Sequence, residues 1–358
     1  MKNYLWVLVI ALLAAPGISA KPPQQKQADK PAAPPPAWAY GFEAPPDSST
    51  PAAAVPFAPP PADDGSLKHL PGSSLSFTVT QIRDGYGPAD WYPNDHPQMP
   101  EVVAHGHKPE VRACSLCHYP NGKGRPENAG VAGLPYDYII HTMSDFKSGR
   151  RKSSDARKPN TYFMMGFAQS MSDEEIQEAA RYFSSMKWTP WIKVVETNTV
   201  PKTRISGGMF LRLDGDATEP IGKRIIETPE NAEATETLRD SHSPFIAYVP
   251  VGSLKKGEAL VVNGGNGKTT RCEVCHGEDL QGLGPVPGIA GRSPSYLMRQ
   301  LYDIQSGARS GVWTALMKPV VAKFTTDDML AVAAYLASRD SISGSTSAMA
   351  SSPGTGGR

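Results

Sequence analysis

Apolar residues fall at helical spacing in only a few stretches of this chain, and the two clearest stretches are close counterparts. Ser172–Phe183 and Thr325–Leu336 each open on a hydroxyl residue, place carboxylates in the next turn, and then run apolar on one face. That pattern predicts two N-capped helices. A third helix is expected over Ser253–Val262, followed by the loose run Gly264–Gly267. Upstream of both capped helices the sequence repeats itself. Gly130–Gly133 matches Gly288–Gly291, and Tyr138–Gly149 matches Tyr296–Gly307, after which the first copy gains the polar stretch Arg150–Asn160. A repeat of this length predicts two similar structural units.

Between the copies the period changes. Trp191–Glu196, Met209–Leu213 and Phe245–Pro250 are rich in β-branched and aromatic residues and are separated by Gly, Asp, Pro and Asn. Short strands are expected there, with Trp188, Trp191, Phe245 and Tyr248 serving either as a small core or as a docking surface. The ends carry other signals. Lys2 precedes the apolar run Tyr4–Ala15, which Pro16 and Gly17 interrupt before the small residues ending at Ala20. This reads as a secretory signal peptide cleaved after Ala20, too short for the roughly twenty residues a membrane span needs. A periplasmic location follows as an expectation, with no transmembrane segment after cleavage.

Composition refines this organisation. The 358 residues include 35 prolines, concentrated between Lys21 and Ala62 where no apolar period exists. Such a tract buries too little surface to offset the entropy of ordering it. The expected division is residues 1–20 signal peptide, 21–75 disordered Pro/Ala-rich linker, 90–187 first globular domain, 188–252 β-containing segment, 253–340 second domain and 341–358 Ser/Gly-rich disordered tail. The formal net charge of +1 gives no basis for nucleic-acid binding.

All four cysteines lie in two Cys-x-x-Cys-His units, Cys114–His118 and Cys272–His276. Two thiols three positions apart at the start of a helix each reach one vinyl group of a single porphyrin, forming thioethers, and the adjacent imidazole then meets the iron. A zinc site would need more Cys or His per site, and a redox dithiol would not need the His. The expected cofactors are therefore two covalently bound haems c with their iron, attached at Cys114, Cys117, Cys272 and Cys275, with His118 and His276 as proximal ligands. The repeat also suggests the opposite ligands. Met164 lies seven residues before Met171, and Met317 seven before Phe324, and Met171 and Phe324 each precede a helix cap. A thioether favours Fe(II) and closes the sixth position. Met165 is an adjacent alternative to Met164, and His105 or His107 would make the first site bis-histidine. His141 aligns with Arg299, so a ligand role there would break the repeat.

These residues resemble tandem class I cytochromes c. The resemblance rests on Cys114–His118, Met164 and Ser172–Phe183 in one half, and on Cys272–Gly277, Met317 and Thr325–Leu336 in the other. It implies a mostly α chain of two cytochrome c class I domains, each wrapped round one haem, with an N-terminal helix crossing the C-terminal one. Pro97–His107 is a poor helix where the first domain should have one. The implied function is single-electron transfer between redox partners, with a dehydrogenase or membrane complex as donor and an oxidase or another cytochrome as acceptor. The same features fit a cytochrome subunit of a periplasmic dehydrogenase or oxidase. An enzyme is disfavoured, because a peroxidase needs one open iron and a thiosulfate enzyme would use an extra cysteine.

Overall fold

A computed structural model describes residues 34–42 and 63–339; the expected signal peptide, most of the Pro-rich tract and the C-terminal tail lie outside these residues. Chain order in the first half is β1 (Lys68–His69), β2 (Ser76–Phe77), α1 (Val79–Ile82), α2 (Glu101–Ala104), α3 (Cys114–His118), α4 (Tyr136–Lys147), α5 (Pro159–Ser170) and α6 (Asp173–Ser184). Ser172 caps α6 by accepting from the Glu175 amide while Glu175 accepts from the Ser172 amide, the capping box that the sequence pattern predicts. Helix α2 is a single turn, as the prolines and glycine of Pro97–His107 require. Apolar residues of α4, α5 and α6 meet in one core with Val102, Val103 and Val111.

The middle segment is built of strands β3 (Ile192–Thr197), β4 (Thr199–Pro201), β5 (Thr203–Ser206), β6 (Met209–Arg212), β7 (Thr218–Pro220), β8 (Ile226–Pro229) and β9 (Phe245–Pro250), with α7 (Ala232–Glu236) between the last two. β9 is central, parallel to β3 and antiparallel to β8. Its alternation puts Phe245, Ala247 and Val249 inward, which is why this run reads as a strand. Trp191, Met209, Leu211 and Phe245 form one small core, and the rest of the sheet joins the core of the second half.

The second half contains α8 (Ser253–Gly267), α9 (Glu273–His276), β10 (Gly282–Leu283), β11 (Val286–Pro287), α10 (Pro294–Ser306), α11 (Thr314–Val321) and α12 (Thr326–Ala337). Helix α8 leaves the right-handed form at Gly264, Gly265 and Asn266, where φ is 67, 55 and 56. The glycines there permit the turn that delivers the chain to Cys272. α8 crosses α12 at Gly257, where any Cβ would collide with the Ala331 carbonyl. Thr325 and Asp328 form a second capping box on α12.

Two features depart from the sequence expectation. Within the stretch 21–75, residues Ala37–Tyr40 form a 3-10 turn that buries Trp38, Ala39 and Tyr40, with Phe42 following. Tyr40 donates to Asp303 at 2.7 Å and Arg299 donates to the Ala39 carbonyl at 2.6 Å. Three aromatics within five residues bury enough apolar surface to order a segment that its proline-rich flanks would leave free. The strands β1 and β2 also fall inside or at the edge of the expected linker. The polar stretch Arg150–Asn160 pairs with the second copy, as described below.

Glu227 links sheet and helix. Its Oε2 accepts from Ser293 Oγ at 2.9 Å and from the Ser295 amide at 3.3 Å, at the start of α10, while Oε1 is buried without a partner. Burial raises this carboxyl to about 7, against the lowering effect of those hydrogen bonds. A raised acid favours folding below the ordinary 4.5 and loses that contribution as pH climbs to about 7. Guanidinium unfolding is expected to show stability falling by on the order of 3 kcal/mol across this window. Glu227→Gln is expected to flatten the profile.

Candidate functional site

His118 and His276, like every other matched pair of the repeat before Arg150, lie 158 positions apart. Both imidazoles are oriented the same way. His118 Nδ1 donates to the Ala129 carbonyl and His276 Nδ1 to the Pro287 carbonyl, each at 2.8 Å. Because a carbonyl only accepts, Nε2 carries the free lone pair in both. Burial lowers both imidazoles below their ordinary value, partly opposed by those hydrogen bonds. The residues are thus neutral donors with a fixed tautomer, which is what a metal-ligating His requires.

The cysteines have the opposite property. Burial pushes the Cys114 thiol up to about 12 and the Cys272 thiol up to about 11, and raises Cys117 as well. All four cysteines are free. A redox dithiol needs a lowered pKa, so this environment is wrong for thiol exchange. Among the described residues no group of three or more His, Cys, Asp or Glu side chains is placed to hold a metal ion.

A cavity of about 180 Å³, partly open to solvent, lies against α3. Cys114, Cys117 and His118 line it on one side. Met164 on α5 lines it too, whereas Met165 packs on the same core without reaching it. Met143 and Met171 also line the cavity, in addition to filling core. Most of the wall is apolar, with Leu134, Phe146, Phe167, Ile176 and Phe183. Its polar lining carries both signs: Arg151, Lys158 and Arg299 stand with Glu127 and Asp303, beside Tyr138 and Tyr296. Lys158 is only 3% exposed, and its burial holds the ammonium well below its ordinary pKa. An apolar slot whose polar lining includes the buried guanidinium groups of Arg151 and Arg299 fits a flat macrocycle with two carboxylates, so the residues present suit a haem.

The polar lining includes the seam between the copies. Arg151 donates to Tyr296 at 3.1 Å and to Gln300 at 3.0 Å, and Arg309 donates to Tyr138 at 3.0 Å and to Gln300 at 2.9 Å. Arg151 and Arg309 also form a backbone bridge. Tyr138 and Tyr296, and Arg151 and Arg309, are equivalent positions of the repeat, so each copy reaches a tyrosine of the other. Burial would raise the Tyr138 phenol, but Arg309 and Arg151 prevail and hold it below its ordinary value. Sequence reading missed this seam; the matching Arg in each copy at the same offset was the available signal. Trp188 fills the other side, against Gly130 and Gly291, where a Cβ on Gly130 would meet its ring at 2.5 Å. The Trp188 ring also carries the Arg292 guanidinium at 4.4 Å.

In the second half Cys272 is half-buried, Cys275 is exposed and His276 is buried. Met317 sits on α11, half-buried against the main core. The three alternative histidines are engaged elsewhere. His105 Nδ1 donates to the Tyr86 carbonyl at 3.0 Å, His107 meets Glu175 at 2.8 Å, and His141 lies over Trp313 with ring centroids 4.1 Å apart.

The cytochrome c family model matches residues 103–187. Cytochrome c-554(548) of Halomonas halodenitrificans is 36% identical over 77 residues, which make up 93% of that protein. The chain belongs to the cytochrome c family. Cytochrome c4 of Azotobacter vinelandii is 23% identical over 232 residues, covering 63% of this chain and 84% of its own. A thiosulfate dehydrogenase electron acceptor of Stutzerimonas stutzeri is 37% identical over 83 residues, 22% of this chain and 37% of its own. As a c-type cytochrome, the protein carries covalently bound haem c and works in electron transfer. No helix among the described residues is long and apolar enough to cross a membrane.

Proposed function

We propose that this cytochrome is a diheme electron carrier of the periplasm, built of two cytochrome c domains around residues 90–187 and 253–340. Cys114 and Cys117 would hold one haem and Cys272 and Cys275 the other. His118 with Met164, and His276 with Met317, would bind the two irons. When bound, the haem iron supplies one-electron chemistry between Fe(III) and Fe(II). The observation that carries the two-site reading is the equivalence of His118 and His276, each neutral and each with Nδ1 given to a backbone carbonyl at 2.8 Å.

The residues around the sites bind and shield rather than react. Leu134, Phe146 and Phe183 exclude water from the first site, and Arg151 and Arg299 offer charge to carboxylates in its polar lining. With Met164 and Met317 as iron ligands, neither haem would be open to peroxide. A second reading, a subunit delivering electrons from a periplasmic dehydrogenase, is favoured by the similarity to the thiosulfate dehydrogenase electron acceptor. A coulometric reductive titration under CO tests the carrier reading. Two electrons per chain with no CO-bound spectrum are expected. Rapid CO binding or peroxide turnover would contradict it.

A further inference from the structure

Helices α4 and α10 are equivalents in the repeat, but their matched polar residues have different surroundings. Arg299 corresponds to His141 and Asp303 to Asp145. His141 is exposed, and Asp145 is half-buried and takes Arg150 at 3.3 Å. Arg299 and Asp303 are both buried, and both line the cavity of the first site although they belong to the second copy.

Against this pair lies a strap, residues 37–42, which precedes both copies and has no counterpart in the repeat. It is held from three sides. Tyr40, fully buried, donates its hydroxyl to Asp303 at 2.7 Å, to the same carboxylate oxygen that accepts from the Ser154 amide at 2.9 Å. The Arg157 guanidinium lies over the Phe42 ring at 4.2 Å. Gly41, at φ 78, backs onto the middle segment, where an added Cβ would stand 2.4 Å from the Gly208 carbonyl oxygen. The strap thus joins α10, the Arg150–Asn160 stretch and the β5–β6 turn.

The strap also governs how two charges are presented to the cavity. Arg299 donates to the Ala39 carbonyl at 2.6 Å and to the Pro126 carbonyl at 2.7 Å. Neutral acceptors orient a guanidinium without cancelling its charge, and this group does not deprotonate in proteins. Asp303 is the opposing charge, and the Tyr40 hydroxyl and Ser154 amide disperse it by donating to it. A buried cation in the wall of a haem site favours the electron that distinguishes Fe(II) from Fe(III), and exclusion of water keeps that field strong.

We propose that residues 37–42 are a positioning element of the first haem site: they fix Arg299 in the cavity wall, hold Asp303 through Tyr40, keep water from both, and so raise the potential of that haem. Ala39 and Tyr40 act through Arg299 and Asp303 and touch no reacting atom. The proposal deepens the two-haem reading above, whose second haem serves as the internal reference. One electron is gained or lost at the iron, and no bond forms or breaks.

Gly41→Ala lifts the strap from Gly208 without altering a residue of the cavity wall. The test is a redox titration of the holoprotein followed by proton NMR, in which haem methyl signals in contact with the Phe183 ring report the first haem separately. In Gly41→Ala the Fe(II) to Fe(III) ratio of the first haem at fixed applied potential is expected to fall roughly tenfold, a midpoint about 59 mV lower, while the second haem keeps its midpoint. Tyr40→Phe, which keeps the ring and removes the hydroxyl, is expected to give a smaller fall in the same direction. Arg299→Gln is expected to match Gly41→Ala, and Arg299→Lys, which keeps the charge, to retain most of the potential. Should Gly41→Ala fail to fold, Tyr40→Phe and the two Arg299 variants carry the test. An unmoved first midpoint, an equal fall at both haems, or the same fall in Arg299→Lys and Arg299→Gln would overturn the role of the strap. Haem content measured on the same sample separates the two levels: one haem per chain overturns the two-haem reading, and the midpoint of that haem still decides for or against the strap.

Discussion

Replacing Cys114 and Cys117 together with serine is expected to unfold the first half of the protein rather than merely to bleach it. The core of that half is the wall of the cavity: Met143, Phe146, Met171, Ile176, Ala179 and Phe183 belong both to the buried cluster and to the lining. Without a haem fixed there, these side chains would face a cavity of about 180 Å³. At roughly 24 cal/mol per Å³, leaving that volume dry would cost about 4 kcal/mol. That is a large part of the roughly 5 to 15 kcal/mol that holds an ordinary domain folded. Flooding the space with water would instead expose its apolar wall. Far-ultraviolet circular dichroism is expected to lose the signal of α4 to α6, and limited proteolysis to cut between residues 134 and 184. The second half, whose α8–α12 crossing is fixed by Gly257 and whose core is shared with β8 and β9, is expected to survive. A variant with native helix content and protease resistance would show that the haem is not part of the first core.

The second large effect concerns potential. Met317→His is expected to lower the midpoint of its own site by a few tenths of a volt, within the roughly 0.8 V that axial ligands span, because a second imidazole withdraws the preference of the thioether for Fe(II). Met164→His is expected to act likewise on the first site, and Met165→Leu to leave both midpoints in place. The far-red Met-to-Fe(III) charge-transfer band reports the same change independently. A Met164→His chain whose potentials and band are unchanged would transfer the ligand role to one of the other cavity methionines, Met143 or Met171.

The sequence made some of this visible because local rules sufficed. The caps of α6 and α12, the alternation of β9 and the glycine-rich end of α8 are written within a few residues, and each forms where the pattern places it. The cysteine and histidine spacing needed only the chemistry of thioether formation. What stayed hidden depends on contacts distant in the chain. Helix α5 carries Met164 but has little apolar period of its own, and packs through α4. Trp38, Tyr40 and Phe42 lie in a proline-rich tract and are ordered by Asp303 and Arg299, some 260 residues away. The Arg151–Tyr296 and Arg309–Tyr138 exchange could be inferred only by laying one copy of the repeat over the other and asking which polar residues they share.

The central claim is that two equivalent turns each hold one haem. Intact mass spectrometry of the purified holoprotein, followed by peptide mapping, tests it most directly. The account predicts a mass of the chain plus two haems, with one haem on the peptide containing Cys114 and Cys117 and one on the peptide containing Cys272 and Cys275. A single haem, or a pair of unmodified thiols in either peptide, would contradict it.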